Sequence, residues 1–370
     1  MVAERTDWLP DLARTPGPVY LAIANALAGA IGRGELQPGE RLPPHRTLAA
    51  TLGVDLTTVT RGYAEARRRG LLDAATGRGT FVRREAAAAG ARAGVVDMSM
   101  NLPPLPADPD LREALREGVA RLLRHEDLAT LMAYRLGAGT AQDRAAGAAW
   151  LAPTLGEVSP GRVVVCPGAQ SAVHAVLATL AQPGDAVVTE VEAYPGLRAA
   201  AAHLGLTLIG CPMDAEGVVP EALEALCRDR RPCAVYLTPT MQNPTTATMG
   251  AARRAAVAQA VERCGAMLIE DDAYGLLADP PPAAISRLIP ARAYYVATTA
   301  KTLSPGLRVA YLVVPPGQHA ARVTAALRAA VMMASPLLFG LVTQWVRDGT
   351  AGRLRDGIRR EARARQALAR

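Results

Sequence analysis

The stretch from Tyr294 to Val314 reads YYVATTAKTLSPGLRVAYLVV. Two apolar runs of strand type, Tyr294–Ala297 and Val309–Val314, flank a loop that carries hydroxyls, a lysine and an arginine. Lys301 is the only lysine of the chain; every other cationic side chain is arginine. A composition rich in Ala, Arg, Gly and Pro explains why lysine is scarce, but not why one remains. Arginine stays protonated and cannot act as a neutral amine nucleophile. A lysine that follows a buried strand, with hydroxyls and an arginine nearby, is suited to a Schiff base with an aldehyde cofactor whose phosphate those neighbours hold. A leftover surface lysine is the plainer alternative.

Working outward, further strand-like runs are Arg162–Cys166, Ala186–Thr189, Thr207–Cys211, Ala234–Leu237 and Met267–Glu270. Helical patterns fill several gaps, notably Ser171–Ala181, Leu197–Leu204 and Ala251–Cys264. Continuous apolar strands alternating with helices predict an α/β domain with a mainly parallel sheet covered on both faces. Ligands in such sheets bind at the carboxyl ends of the strands.

Three more segments lie where that rule puts a site. Pro167-Gly168-Ala169-Gln170 follows a strand and opens a helix, where backbone N–H groups can hold an anion. Thr238-Pro239-Thr240-Met241-Gln242-Asn243-Pro244-Thr245 is a turn-rich loop after a strand. Glu270-Asp271-Asp272-Ala273-Tyr274 leaves the apolar run Ala266–Ile269, and carboxylates there need partners. Each alone reads as an ordinary turn, loop or helix cap; their order and spacing make them one set.

Residues 1–83 have another character. Val19–Ile31 has helical spacing, Arg46–Leu52 is a second helix after Pro43-Pro44, and a third begins with Thr57 or a neighbour as cap and ends near Arg69. Leu71-Leu72, a turn at Gly77-Arg78-Gly79, and Thr80-Phe81-Val82 form a short hairpin. Helix, helix, turn, helix and β-wing make a winged helix-turn-helix. Residues 84–96, REAAAAGARAGVV, read as a linker, and 97–370 as the α/β domain.

The whole-chain numbers are permissive. Net charge is +7 and pI about 9.5, which suits a nucleic-acid partner and equally a basic enzyme. The cysteines, Cys166, Cys211, Cys227, Cys233 and Cys264, form no C-x-x-C pair, so reduced thiols and no metal site are expected. No signal peptide precedes the first domain and no apolar run is long enough to span a bilayer, so a cytoplasmic protein with no membrane partner is expected.

The stretch PGERLPPHRTLAATLGVDLTTVTRGYAEARRRGLLDAATGRGTFV, residues 38–82, resembles the GntR-type winged helix. The family pattern L-P-S-x-R, L-G-V-S-R-x-T-V and G-x-G-T-F-V appears as Leu42–Arg46, Leu52–Val59 and Gly77–Val82. The resemblance implies binding to a double-stranded DNA operator. Thr57 and Thr58 would face base edges, Arg46 and Arg61 phosphate or guanine, and Arg78 and Gly79 the minor groove. Arg67–Arg69 read instead as a solvated helix end. Asp55-Leu56 stands where the family has Ser-Arg, and Asp55 would repel phosphate.

The four segments of residues 97–370 resemble fold-type-I pyridoxal-phosphate enzymes, the aspartate aminotransferase superfamily, with its order G-A-Q, an aromatic, N-P-T, D-x-x-Y and S/T-x-x-K. The resemblance implies pyridoxal 5′-phosphate as cofactor. Lys301 would bond its aldehyde and Asp271, three before Tyr274, would pair with the pyridine nitrogen. Tyr274 and Asn243 would bond the phenolic oxygen, and Tyr194 would stack on the ring. Ala169, Gln170, Thr298 and Arg308 would hold the phosphate, and Tyr134 would reach the phosphate of a partner subunit, implying a homodimer. Ala300 stands where the family has Ser, and Thr246 where N-P-T is followed by Gly. The small C-terminal domain, with its arginine for a substrate carboxylate, is expected to be missing, leaving the domain incomplete.

Joined, the two halves resemble the MocR subfamily of GntR-type regulators. The implied function is a pyridoxal-phosphate-dependent transcription regulator whose second domain senses an amino-group effector, or the cofactor itself, without sustained turnover. The alternative is an active aminotransferase with an accessory DNA-binding domain.

Overall fold

The computed structural model describes residues 8–10, 18–32, 35–37, 39–75, 79–83, 100–106 and 108–370. The chain divides into two compact units, Met1–Met100 and Asn101–Arg370.

In the first unit, helices α1 (Val19–Gly32), α2 (His45–Leu52) and α3 (Leu56–Arg68) precede an antiparallel hairpin, β1 (Leu72–Ala75) and β2 (Gly79–Val82). Ile23, Leu27, Leu36, Leu42, Leu48, Val59, Tyr63, Leu72 and Val82 form its core. α1 and α3 approach closely because residue 62 is glycine: a Cβ there would lie 3.0 Å from Ile23 Cγ2. The chain before α2 pairs with β2 through Leu42 N–H to Thr80 O, 2.9 Å, and Val82 N–H to Glu40 O, 2.8 Å. Asp55, not Thr57, caps α3: its Oδ1 accepts the Thr57 N–H at 2.7 Å. The residue that breaks the family pattern thus satisfies a helix-end donor.

The second unit opens with helices α4 (Leu111–His125), α5 (Leu128–Met132) and α6 (Ala141–Leu155). The run β3 (Val163–Cys166), α7 (Ala169–Leu180), β4 (Ala186–Glu190), α8 (Pro195–His203) and β5 (Thr207–Cys211) follows. A two-residue ribbon, β6 (Met213–Asp214) and β7 (Gly217–Val218), leads to α9 (Pro220–Arg230), β8 (Ala234–Leu237), α10 (Ala251–Cys264) and β9 (Met267–Asp271). Next come β10 (Ala293–Thr298), α11 (Thr299–Thr302), β11 (Ala310–Val313), α12 (His319–Val331), α13 (Pro336–Arg347) and α14 (Thr350–Ala369).

The seven-stranded sheet has the order β3-β11-β10-β9-β8-β4-β5. β11 is antiparallel to both neighbours and the remaining pairs are parallel, as the apolar runs predict. Because β11 turns straight back beside β10, the Lys301 loop is a short connection and not a crossover. Alternate residues feed opposite layers. Val164, Tyr294, Val296 and Leu312 pack with α7, α8 and α12, whereas Val165, Tyr295, Tyr311 and Val313 pack with α6, α13 and α14. A third cluster joins α9 and α10 to β8 and β9.

The expectation of reduced thiols throughout is corrected here. Cys227 of α9 and Cys264 of α10, 37 residues apart, form a disulfide with Cα atoms 5.3 Å apart. Packing of α9 on α10 creates the pair, and linear spacing gives no sign of it. Among the described residues no helix is long and apolar enough to cross a membrane, and no cluster of three or more His, Cys, Asp or Glu could hold a metal.

Candidate functional site

All four sequence segments leave the carboxyl ends of strands that run in the same direction, so the sheet gathers them at one end: Gly168 after β3, Thr238–Asn243 after β8, Asp271–Tyr274 at the end of β9, and Thr298–Lys301 at the end of β10. Tyr194 joins them from the turn after β4, as N-cap of α8.

The three consecutive carboxylates have different fates. Glu270 accepts from Ile285 N–H, Ser286 N–H and Ser286 Oγ at 3.0, 2.7 and 2.5 Å. Asp272 accepts from Tyr295 Oη at 2.7 Å and Gly275 N–H at 2.7 Å. Asp271 accepts only from Tyr236 Oη, at Oδ2 and 2.6 Å, among the described residues, and its buried Oδ1 has no partner. Burial pushes the Asp271 carboxyl up to about 6, against the pull of the Tyr236 hydrogen bond. One of its buried oxygens is still to be satisfied.

Facing this carboxylate are two tyrosines. Burial raises the Tyr194 hydroxyl, Asp271 raises it further and Arg308 opposes both. Tyr274 is raised by burial and then by Asp271, and its hydroxyl accepts from Asn101 Nδ2 at 2.5 Å. Lys301, half-buried on α11, donates to the Asn101 carbonyl, and its Nζ lies 5.9 Å from the Tyr274 ring centroid. Burial lowers its pKa, favouring the neutral amine.

Opposite lies a cationic corner. Gly168 caps α7 with φ 102°, and the Arg308 guanidinium reaches the same turn, NH2 to Pro167 O at 3.2 Å. A Cβ on Gly168 would be 2.5 Å from that NH2. Free N–H groups at a helix start and a guanidinium repel one another unless an anion lies between them. Ala169 and Gln170 are the first residues of α7, and Gln170 Nε2 donates to Gly196 O at 2.7 Å. The Thr298 hydroxyl caps α11 through Ala300 N–H, 3.1 Å, and donates to Val309 O, 3.4 Å. Asn243 stands in a loop held by Gln242, whose Oε1 accepts Thr245 N–H at 2.8 Å.

An aldehyde-bearing, phosphorylated pyridine fits these residues: an amine with lowered pKa, an unsatisfied carboxylate oxygen, and an anion corner. Tyr134 is not brought into this set; it is 77% exposed. Sequence reading missed Asn101, which touches both Tyr274 and Lys301, and Tyr236, which holds Asp271. The need of a fully buried tyrosine hydroxyl for a partner is the one signal that could have found Tyr236.

On the first unit, Arg46, Thr57 and Arg61 are exposed and Thr58 is half-buried. Thr57 Oγ1 donates to Asp55 at 2.5 Å, and the Arg61 guanidinium lies over the Tyr20 ring, 4.2 Å from its centroid. Gly79 opens β2 with φ 111°, while Arg78 lies outside the described residues. Arg68 and Arg69 both bond Glu65, and Arg69 also bonds Asn25 of α1.

Comparison with known proteins agrees with both halves. The family described as aminotransferase class I and II matches residues 93–363, and that of bacterial regulatory proteins, gntR family, matches residues 19–82. The uncharacterized HTH-type transcriptional regulator YdeF of Bacillus subtilis is 30% identical over 92% of this chain and 74% of its own length. The probable rhizopine catabolism regulatory protein MocR of Rhizobium meliloti is 31% identical over 81% of this chain and 66% of its own. Among solved structures, LysN of Thermus thermophilus, an α-aminoadipate aminotransferase complexed with N-(5′-phosphopyridoxyl)-L-leucine, superposes with TM-score 0.63 at 29% identity, covering 70% of this chain and 66% of that one.

Proposed function

Because the chain belongs to the aminotransferase class I and II family and carries the gntR-type DNA-binding domain of the MocR regulators, we propose that it is a transcription regulator controlled by pyridoxal 5′-phosphate. The observation that carries the cofactor half is the pairing of the orphaned Asp271 Oδ1 with the half-buried, sole lysine at the same end of the sheet. When bound, the cofactor supplies an aldehyde for amines and an electron-poor ring.

The chain's own residues do the rest. Lys301 would hold the cofactor at its aldehyde carbon. Asp271 would pair with the ring nitrogen and favour its protonated form. Asn243 and Tyr274 donate to the phenolic oxygen, and Tyr194 covers the ring. Ala169, Gln170, Thr298 and Arg308 hold the phosphate. Arg46, Thr57, Thr58, Arg61, Arg78 and Gly79 contact the operator.

An amino-group effector, or the cofactor itself, shifts the protein between two states only through unequal affinity for them. A homodimer is proposed on the exposed Leu128, Met132, Tyr134 and Leu136, an apolar surface that a second copy would cover. A cytoplasmic location is proposed, since an operator-binding protein must reach its DNA. Residues 1–83, 84–96 and 97–370 are proposed as DNA-binding domain, linker and sensor domain.

Titration with pyridoxal phosphate tests the reading. Wild-type protein gains the near-visible absorption of a lysine-bound cofactor, and Lys301→Ala does not. Absence of that band in cofactor-supplied wild type sinks it. A second reading, an active aminotransferase, is favoured by the gathering of Lys301, Asp271 and Tyr274 at one end of the sheet; repeated conversion of cofactor to its pyridoxamine form with an amino donor would establish it.

A further inference from the structure

We infer that Tyr236, fully buried behind the site, is the positioning residue that orients Asp271 toward the cofactor's ring nitrogen. This rests on the cofactor reading above and adds a residue to it.

The sheet register produces the contact. β8 runs parallel to β9 with Tyr236 beside Ile269. Side chains alternate along a strand, so Asp271, two residues beyond Ile269, projects to the same side as Tyr236. Tyr236 packs in the cluster that contains Ile269, Val187, Ala234 and Tyr294, so its ring has no room to swing away. Its hydroxyl meets Asp271 Oδ2 at 2.6 Å.

That bond has no substitute among the described residues. Glu270 and Asp272 have partners on both oxygens. With Asp271 held at Oδ2 alone, Tyr236 anchors that oxygen and leaves Oδ1 as the acceptor to be filled. Burial, and then Asp271 itself, raise the phenol well above its usual pKa, so it remains a donor. Glu190 adds a boundary on the far side. Its Oε1 accepts Thr238 N–H and Oγ1 at 2.7 and 3.0 Å, and Asp271 lies close enough to raise its pKa.

The test is a double-mutant cycle on the full chain, reading the dissociation constant of pyridoxal phosphate for wild type, Tyr236→Phe, Asp271→Asn and the double variant. Phenylalanine keeps the buried ring and removes only the hydroxyl. The expected result is about tenfold weaker binding in Tyr236→Phe, equivalent to ~1.4 kcal/mol, and no further loss when the change is made in Asp271→Asn. Unchanged affinity in Tyr236→Phe overturns the inference. So does an equal loss in both backgrounds, which would make the hydroxyl merely structural.

Where Asp271→Asn binds too weakly to titrate, the pH profile decides. Tyr236→Phe should move the acid limb of binding to higher pH, because the lost bond is what lowers the Asp271 pKa. Glu190, Asp272, Tyr194, Tyr274, Lys301 and Arg308 also face this site and are the same in both proteins. An unmoved limb overturns the inference. Failure of wild type to bind at all would instead sink the cofactor reading, so the two failures are separable.

Discussion

The Arg308 guanidinium lies against the backbone turn at Gly168, so close that a Cβ on the glycine would sit 2.5 Å from its Nη2. Arg308 is itself left-handed, at φ 51°, a conformation unusual for a residue with a side chain. The position brings a cation to the start of α7, where helix N–H groups already favour an anion. Arg308→Ala should weaken pyridoxal phosphate binding by roughly ten- to a hundredfold, the loss of a hydrogen bond to a charged group worth about 1.5–3 kcal/mol. Gly168→Ala should do at least as much by pushing the guanidinium aside. Fluorescence titration checks both, and unchanged affinity in Arg308→Ala would remove the anion corner from the cofactor site.

Asp271 and Asp272 adjoin in sequence but should part in experiment. Asp272 accepts from Tyr295 and Gly275, so Asp272→Asn leaves one donor facing an amide N–H₂ and should cost about 1–3 kcal/mol of stability. Asp271→Asn removes a buried charge whose Oδ1 has no partner. The cofactor-free variant should melt at or above the wild-type temperature while binding pyridoxal phosphate more weakly. Calorimetry with and without cofactor separates the two; equal destabilisation by both would contradict the division of labour.

The fold was largely legible because period and composition coincide. Thr207–Cys211, Ala234–Leu237 and Ala251–Cys264 form with the bounds their patterns suggest, and other strands shift by a residue at their ends. Apolar runs report burial, and burial in a two-faced sheet is what a parallel strand needs. What was not legible is what only tertiary packing creates. Asn101 meets Tyr274 across 173 residues and Lys301 across 200, and Cys227 meets Cys264 because α9 packs on α10. Asp55 was readable as a charge near DNA, but its role as the α3 cap needed the hydrogen bond to Thr57.

Buried carboxyls give the cofactor-free protein a pH dependence of known sign. Burial raises Glu190 and Glu270 to about 7 and Asp271 to about 6. A carboxyl raised in the folded state binds its proton more tightly there than in the unfolded chain. Its stabilising contribution is complete below the ordinary carboxylate range and is lost as pH rises through the folded value. Stability should therefore fall between about pH 5 and pH 8, and Asp271→Asn should flatten the lower part of that window. Urea midpoints across this range provide the check. A flat wild-type profile would mean that these carboxyls gain compensating partners on folding.

Asp55 offers a way to separate fold from DNA affinity. Its carboxylate caps α3, and Thr57 holds it below the usual range through its hydroxyl and its N–H. Asp55→Ala should lower the melting temperature, because the cap of α3 is lost. Asp55→Ser keeps an oxygen for the cap and removes a negative charge at the amino end of α3. It should leave the melting temperature nearly unchanged and tighten operator binding. Arg46→Ala should weaken binding and lower the slope of log affinity against log salt by about one unit. Melting curves and salt titrations read these outcomes independently. If Asp55→Ser binds no tighter, then the amino end of α3 does not approach phosphate.

Thr246 gives the last prediction and needs no ligand. It sits at φ 63°, in the left-handed region, directly after Asn243-Pro244-Thr245, where the family pattern has glycine. A β-branched side chain is a poor occupant of that region, and the strain is of order 1 kcal/mol or more. The loop keeps the shape regardless, because Thr246 N–H bonds Gln242 O at 2.6 Å and Gln242 N–H bonds Ala247 O at 2.9 Å. Glycine would relieve the strain, offset in part by its larger unfolded-state entropy. Thr246→Gly should thus raise stability by about 0.5–1 kcal/mol in chemical denaturation without moving cofactor affinity. A loss of stability would show that the Thr246 side chain has an interaction outweighing its backbone strain.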